Sequence, residues 1–182
     1  MSTDMMNKIL LHCCCGPCSI AVLDKLKSEG IEPLAYFYNP NIHPYKEFTS
    51  RRDCWEDLMQ DTKTEFILND TYPLEDWLRT VAAAPQDRCH NCYRQRMWQA
   101  AKMTKKQGLN SFSTTLLISP YQNHELLIKA AEEAAAEFEV RFHYEDFRPL
   151  FRKGQQMARE KELYLQKYCG CIYSEKERYC PN

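Results

Sequence analysis

Residues 8–30 read KILLHCCCGPCSIAVLDKLKSEG, and this stretch decides the fold. Its first part, residues 8–12, is short and apolar, which is typical of a buried strand. Pro17 is suited to the first turn of a helix, and Gly30 is suited to the end of one. The stretch therefore predicts a strand followed by a helix over residues 17–29, with cysteines in the loop between them.

The rest of the chain continues this alternation of strand and helix. Further strands are predicted at residues 34–38, 65–68, 112–115 and 139–144. Further helices are predicted at residues 45–60, 74–84, 93–107, 123–137 and 154–165, and the tail after them reads as a loop. Strands separated by helices of this length indicate βαβ units. We therefore expect an α/β fold of the Rossmann-like three-layer α/β/α type. It would have a mainly parallel five-stranded sheet, with cysteine-rich loops at the C-terminal edge of the strands.

Length and composition limit the class of protein. The chain has 182 residues, with 24 Lys and Arg against 25 Asp and Glu, and a formal charge of −1. The hydrophobic fraction of 44% and the aromatic fraction of 12% exclude a disordered chain, and the charge excludes a wholly basic nucleic-acid binder. We expect a single catalytic domain over residues 1–182. Within it, residues 1–7 would be a flexible N-terminus and residues 150–182 a C-terminal segment carrying a Cys-Gly-Cys motif.

The length of the apolar runs indicates the cellular location of the protein. None approaches the roughly 18–20 residues that a membrane helix needs, and the N-terminus lacks the apolar segment of a signal peptide. We therefore expect no membrane partner and a cytoplasmic protein, whose thiols stay reduced.

Ten cysteines in a reducing compartment indicate metal or redox chemistry rather than a disulfide scaffold. Eight of them fall in three tight groups, at residues 13–18, 89–92 and 169–171. Thiolates suit iron–sulfur clusters and zinc, and a [4Fe–4S] cluster needs four ligands. The candidate ligands are Cys14, Cys15, Cys18, Cys89, Cys92, Cys169 and Cys171. Seven are too many for one cluster, which indicates a second metal or a redox-active thiol pair beside it. The cysteines read as structural or unligated are Cys13, Cys54 and Cys180.

A basic segment begins inside the second cysteine group. Residues 88–106 hold six Lys or Arg and no acid, and we expect this helix to hold a phosphate backbone. Tyrosines near the same loops are suited to stacking on an exposed base. His12 adjoins the first cysteine group and is a candidate ligand or proton donor. The chain contains no GxxxxGK[ST] and no GxGxxG, so nothing in it indicates the common phosphate-binding loops.

The motifs together resemble one family, epoxyqueuosine reductase of the QueH family. The segments that carry the resemblance are residues 11–18 (LHCCCGPC), 37–42 (FYNPNI), 88–94 (RCHNCYR), 113–122 (STTLLISPYQ) and 168–174 (YCGCIYS). The resemblance implies a fold like that of the adenine-nucleotide α-hydrolases, with a [4Fe–4S] cluster and an adjacent mononuclear iron. It also implies the final step of queuosine biosynthesis, the two-electron reductive deoxygenation of epoxyqueuosine to queuosine in tRNA. The electron donor is not identified by the sequence.

The resemblance implies roles for individual residues. The expected cluster ligands are Cys14, Cys15, Cys89 and Cys92, and the expected ligand of the second iron is Cys18. Cys169 and Cys171 are expected to be either second-metal ligands or a redox-active pair. The proton donor stays open among Tyr45, Tyr121 and His12. The expected substrate contacts are Tyr38, Asn39, Asn41, Arg94, Arg96, Thr114, Thr115, Ser119 and Arg152.

Two alternatives belong to other functional classes. An iron–sulfur-dependent tRNA thiolation enzyme on a related fold would need an SGGxDS loop for ATP after the first strand, where residues 14–18 stand instead. A non-enzymatic zinc-binding module in a nucleic-acid complex would hold zinc rather than iron and acid-labile sulfide.

Overall fold

The computed structural model describes residues 7–180 of the chain. The predicted flexible N-terminus therefore lies outside the described residues, apart from Asn7. Within the described part, no helix combines the length and the apolarity that crossing a membrane requires.

Five parallel strands form one sheet in the order β3–β2–β1–β4–β5. The strands are β1 (Lys8–Cys13), β2 (Glu32–Phe37), β3 (Phe66–Leu68), β4 (Ser111–Thr114) and β5 (Arg141–Phe142). In the central strand, Leu10 lies opposite Leu34 of β2 and Phe112 of β4, and all three side chains are buried. A strand covered on both faces needs such a continuous apolar run. The predicted parallel five-stranded sheet is confirmed.

Helices cover both faces of this sheet, as predicted. They are α1 (Gly16–Ser28), α2 (Tyr45–Asp61), α3 (Leu74–Ala82), α4 (Arg88–Lys106), α5 (His124–Glu137), α6 (Phe151–Glu160) and α7 (Ile172–Tyr179). The chain runs from β1 outward to β3 and then returns to β4 on the other side of β1. Because crossovers between parallel strands are right-handed, this reversal places the helices of the two halves on opposite faces. Accordingly, α1 packs against α2 on one face, while α4 packs against α5 on the other. Helix α6 follows the last strand and is not a crossover, and it packs on α1.

The reversal of strand order also creates the crevice in which the site lies. In open α/β sheets, ligands bind beyond the carboxyl ends of the strands at such a switch point. Here β1 ends at Cys13, directly before the first candidate ligands, and the neighbouring β4 ends at Thr114. The first cysteine group is therefore placed at the sheet edge that the sequence predicts.

Several predicted boundaries are wrong. Helix α4 begins at Arg88 rather than at residue 93, so Cys89 and Cys92 lie on its first turn instead of on a loop. The tail predicted as a loop contains α7, in which no residue is buried, so apolar periodicity could not reveal it. Strand β5 has two residues rather than six, since at the sheet edge it pairs with β4 alone. Helix α6 begins and ends earlier than the predicted 154–165.

Candidate active site

The first cysteine group is a buried triad at the start of α1. Cys14 and Cys15 follow β1, and Cys18 lies three residues further on, in the first turn of the helix. The sulfur atoms of Cys14 and Cys15 are 3.7 Å apart, and all three sulfur atoms lie within 4.8 Å of one another. Among residues 7–180, no other group of three or more His, Cys, Asp or Glu ligand atoms is so close together. The triad is therefore able to bind a metal ion.

Hydrogen-bond donors surround these sulfur atoms. The Thr115 hydroxyl accepts from the backbone N–H of Cys14 at 3.2 Å and donates to the Cys14 sulfur at 3.5 Å. Gln166 Nε2 donates to the sulfur of Cys15 at 3.1 Å and to that of Cys18 at 3.7 Å. Hydrogen bonds to sulfur favour the thiolate, which is the form that binds metal.

The three thiols hold their protons unequally. Hydrogen bonds from Cys15 and Cys18 keep the pKa of the Cys14 thiol well below its usual value, and the charge of Arg96 lowers it further. The pKa values of Cys15 and Cys18 are raised because both groups hydrogen-bond to Cys14. Cys14 is therefore the thiol of the triad that loses its proton most readily, and a metal that binds all three sulfur atoms must displace the protons that the thiols still hold.

The second and third cysteine groups face each other across a small cavity of about 20 Å³. Cys89 and Cys92 line it from α4, while Cys169 and Cys171 line it from the segment before α7. Burial raises the pKa of Cys92 to about 12 and also raises that of Cys89. A guanidinium nitrogen of Arg96 lies 3.9 Å from the Cys92 sulfur. All four thiols are free of disulfide bonds.

A larger cavity of about 340 Å³ adjoins the small one. Cys14 and Cys18 of the triad line it. Four residues line both cavities: Asn41, Arg96, Gln122 and Cys169. Its basic lining residues are Arg51, Arg96 and Lys167, and no Asp or Glu lines it. The triad and the four thiols of the second and third groups therefore lie at adjoining cavities. The positive charge of the larger cavity's lining favours an anionic ligand.

Arg96 lies between the two cysteine groups and is 2% exposed. Its Nη2 atom donates to Asn39 Oδ1 at 2.6 Å, and Asn39 in turn donates to the carbonyl oxygen of Cys13 at 2.9 Å. A buried charge is costly unless it is hydrogen-bonded or paired. Thiolates on either side of Arg96 would supply that pairing. The position of Arg96 therefore suits a site in which several cysteines are deprotonated.

His12 lies beneath the site and lines neither cavity. Its Nδ1 atom is 2.9 Å from the Thr114 hydroxyl, and its Nε2 atom is 3.0 Å from the carbonyl oxygen of Tyr38. Because a carbonyl only accepts, Nε2 carries the ring proton. Burial, together with the charge of Arg96, lowers the pKa of His12 to about 3. His12 is therefore a neutral ring that joins β1, β4 and the end of β2.

Helix α2 holds the third cysteine group in place through Arg51, which is 2% exposed. Its two terminal nitrogens donate to the carbonyl oxygens of Cys169 and Tyr168, each at 2.9 Å. Its Nε atom donates to Glu47 at 2.7 Å, one helical turn away. A single buried guanidinium thus connects α2 to the backbone on which Cys169 is carried.

Gly170 separates the two cysteines of that group in a backbone conformation that favours glycine, with φ at 136°. A Cβ atom there would lie 3.2 Å from an Arg51 nitrogen and 3.2 Å from an Ile42 carbon. The Gly170 carbonyl also accepts from the backbone N–H of His43 at 2.7 Å. The tight contact fixes where the neighbouring thiols lie.

The structure gathers most of the predicted site residues at the two cavities. Those that line one or both are Cys14, Cys18, Cys89, Cys92, Cys169, Cys171, Asn41, Arg96, Thr115, Ser119 and Tyr121. Predicted substrate residues that are buried and line neither cavity are Tyr38, Asn39 and Thr114. Exposed residues that line neither are Tyr45, Arg94 and Arg152. Of the three candidate proton donors, Tyr121 alone borders the larger cavity.

The basic helix predicted to hold tRNA is α4, and much of its charge is paired. Arg88 forms an ion pair with Glu177 of α7, and Lys105 pairs with Glu139 at 3.2 Å. Arg94 lies 3.9 Å from Glu133 of α5. Because Arg96 is buried as well, the helix offers less free charge to a phosphate backbone than the sequence indicates.

Three side chains at the site were not assigned a role from the sequence: Arg51, Gln122 and Gln166. Gln122 Nε2 lies 3.6 Å from the Cys169 sulfur, and its Oε1 accepts from Tyr93 at 2.6 Å. The i, i+4 spacing of Glu47 and Arg51 signals a helical ion pair but not its burial. Gln166 stands in an irregular segment without any motif, so no sequence signal pointed to it.

The fold and site define an α/β protein with a parallel sheet, whose switch point carries a cysteine triad able to bind a metal ion. The chain belongs to the family described as epoxyqueuosine reductase QueH. The model of that family matches residues 9–177. The name of the family, a reductase, describes an oxidoreductase. The chain is 36% identical to the epoxyqueuosine reductase QueH of Dehalococcoides mccartyi, with 96% of each chain covered. It is 32% identical to that of Acinetobacter baylyi, covering 96% of this chain and 83% of the relative. It is 28% identical to that of Thermotoga maritima, covering 95% and 93%.

Proposed function

We propose that this chain is a single catalytic domain that reduces epoxyqueuosine to queuosine in tRNA, using electrons from a separate cytoplasmic donor. One observation carries the proposal. Three cysteine motifs, distant in sequence, converge on two adjoining cavities in a chain whose family match spans residues 9–177. Loss of the epoxide oxygen as water consumes two electrons and two protons, so thiol-held metal beside a substrate cavity suits the reaction.

The spacing of the triad favours a mononuclear metal. With metal–sulfur bonds of about 2.3 Å, tetrahedral geometry places ligand sulfur atoms about 3.8 Å apart. The measured separation of 3.7 Å between the Cys14 and Cys15 sulfur atoms agrees with this value. Three protein ligands leave one coordination position for a substrate. We therefore assign the mononuclear iron to Cys14, Cys15 and Cys18.

The four thiols around the small cavity then match the number that a [4Fe–4S] cluster needs. They are Cys89, Cys92, Cys169 and Cys171. No three of them lie as close together as the triad does, which agrees with a cluster larger than a single ion. This division differs from the one expected from the resemblance, in which Cys14 and Cys15 join Cys89 and Cys92.

The protein residues would bind the substrate and exclude water. Bound iron would polarise the epoxide oxygen, and the cluster would carry electrons. The larger cavity has the volume of a small-molecule site rather than of an RNA groove, so the modified base would enter it while the rest of the tRNA stays outside. Asn41 lines this cavity and has a buried Oδ1 atom without a partner among the described residues, and it would bind that base.

The test is reduction of the substrate by protein purified without oxygen. The chain is loaded with iron and sulfide and incubated with epoxyqueuosine-containing tRNA and dithionite, and the nucleosides are analysed by mass spectrometry. We expect queuosine from the loaded protein and none from the Cys89→Ser variant. Cluster-loaded protein that forms no queuosine would refute the proposal.

A further inference from the structure

Tyr121 is a large aromatic side chain that stands almost entirely in solvent at the edge of the larger cavity. It is 85% exposed, the highest value among the exposed large apolar side chains of residues 7–180. Its ring meets that of Phe151 edge to face, with centroids 5.9 Å apart and an interplanar angle of 82°. This single contact leaves ring surface open, so burial in the protein core does not explain the residue.

The turn that carries Tyr121 is held rigidly on both sides. Its backbone N–H donates to the Ser119 hydroxyl at 3.2 Å. On the other side, the Tyr93 hydroxyl donates to Gln122 at 2.6 Å and accepts from the backbone N–H of Asn123 at 3.2 Å. The ring is therefore presented outward by a fixed backbone, which lowers the entropy that a partner would have to remove on binding.

The residues that line the larger cavity indicate the chemical class of the molecule that would contact Tyr121. The cavity of about 340 Å³ admits a single modified base, so the neighbouring nucleotides must stay at its mouth. Lys167 lines that mouth, is exposed and forms no ion pair with residues 7–180. No carboxylate lines the cavity to oppose a phosphate. An aromatic ring and a cation that line the same cavity are the usual combination for single-stranded nucleic acid.

We propose that Tyr121 stacks on the nucleobase next to the modified nucleotide and that Lys167 binds the adjoining phosphate. The proposal rests on the proposed function, because it takes the RNA strand that carries epoxyqueuosine as the partner. Tyr121 is then an RNA-binding residue that acts through its ring, and its hydroxyl is not the proton donor. One flanking base held outside would also keep the target base extruded from its stack.

The test measures RNA binding, so it does not depend on turnover. A labelled RNA hairpin with the sequence of the modified tRNA loop is titrated with metal-loaded protein, and Kd is read by fluorescence anisotropy. Stacking on one base corresponds to a change of about 5- to 150-fold in Kd. We expect Tyr121→Ala to weaken binding by a factor in this range, while Tyr121→Phe binds like the unaltered protein. Tyr144→Ala is the matched control, because Tyr144 is 47% exposed and lines neither cavity.

Hairpins lacking the base on one or the other side of the target nucleotide identify the stacking partner. With one of them, Tyr121→Ala and the unaltered protein should bind equally, since the base that Tyr121 contacts is gone. The inference is overturned if Tyr121→Ala binds like Tyr144→Ala, or if its defect is the same with every hairpin. It is also overturned if Tyr121→Phe is as weak as Tyr121→Ala. Failure of queuosine formation in all proteins, with these binding differences intact, would count against the proposed function alone.

Discussion

At the residue scale, the surroundings of each sulfur atom separate the cysteines into kinds. Cys13 and Cys14 are adjacent, yet β1 turns their side chains to opposite sides. The Cys13 thiol donates to the carbonyl oxygen of Leu11 in the core, and burial raises its pKa to about 12. Cys14 faces the other thiols, which hold its pKa well below the usual value. Sequence alternation predicted this separation, because successive side chains of a strand point to opposite faces.

Single replacements test the division of the thiols between two metals. We expect Cys169→Ser to lose most acid-labile sulfide and the cluster absorption, because it removes one of four cluster ligands. Cys14→Ser should keep the sulfide but lose about one iron per chain. Iron and sulfide assays measure both, and Cys54→Ser, which removes a thiol outside the site, serves as the control. A cluster that survives loss of Cys169 but not of Cys14 contradicts the division.

Gly170 offers a second test at this scale. Gly170→Ala should lower the free energy of unfolding by about 1–3 kcal/mol, because an alanine is strained at its φ and meets Arg51. Because the added methyl group would also displace the thiols of Cys169 and Cys171, we expect the variant to bind less cluster. Gly108→Ala is the matched control, since Gly108 has φ at 69° with nothing within 4 Å of the added carbon. Equal cluster content in the two variants, measured by iron and sulfide analysis, would show that Gly170 has no part in placing the cysteines.

At the element scale, α2 carries more of the site than its sequence indicates. Its buried face reads as a helix packed on the sheet, through residues such as Phe48 and Trp55. Arg51 on the same helix reaches instead to the backbone of Tyr168 and Cys169. The Tyr168 hydroxyl also donates to the carbonyl oxygen of His43, in the loop before α2, at 2.5 Å. A central helix therefore fixes a segment that has little regular structure of its own.

Replacing Arg51 should loosen this segment. Arg51→Met removes two hydrogen bonds to Tyr168 and Cys169 and leaves Glu47, which is 9% exposed, without its partner. Breaking a buried pair in this way costs about 3–5 kcal/mol. We expect faster hydrogen exchange across residues 164–172 and a lower unfolding free energy by urea titration. The control is Arg52→Met, which alters a half-buried neighbour whose ion pair is with Asp53 rather than with the site. Hydrogen exchange across residues 164–172 that is equally fast in the Arg51 and Arg52 variants would contradict the role assigned to Arg51.

The sequence predicted the elements that are marked by apolar runs or apolar periodicity, and it missed helix α7, which has no buried residue. Strand β1 and helix α1 are marked by apolar runs, a proline and a glycine, so their positions were predicted nearly correctly. Helix α7 buries no residue and is capped by the Cys171 sulfur, which accepts from the backbone N–H of Ser174 at 3.4 Å. Cysteine is not one of the usual N-cap residues, so nothing in the sequence signals this cap. Gln166, which contacts two triad thiols across about 150 residues, likewise could not be identified from the sequence.

At the scale of the whole molecule, the three cysteine groups come from segments that the sheet alone does not connect. The triad follows β1, the second pair of thiols begins α4, and the third lies beyond α6. In the structure these segments are held by a few buried cations, notably Arg51 and Arg96, and by the packing of α6 on α1. Gly154 permits that packing, because an added carbon would lie 3.3 Å from the Ala21 methyl group.

Metal removal should therefore weaken the fold as a whole. A ligand that binds the folded chain alone raises its stability, and ligands from three segments make the effect global. We expect chelation to lower the melting temperature by about 5–15 °C. Differential scanning calorimetry of loaded and stripped protein measures this, and the Cys169→Ser variant should show a smaller difference. Equal melting temperatures with and without metal would contradict the coupling.

The position of Cys169 and Cys171 in the chain also sets the order in which the site can be assembled. Cys14, Cys15 and Cys18 leave the ribosome about 150 residues before these two cysteines are made. A growing chain can thus present three thiols to free metal ions long before four cluster thiols exist together. Under the proposed division of the thiols, cluster delivery would have to wait until almost the whole chain has been synthesised and Arg51 of α2 has bound the segment that carries the last thiol pair. Until then the exposed triad needs reducing conditions and a supply of the correct metal.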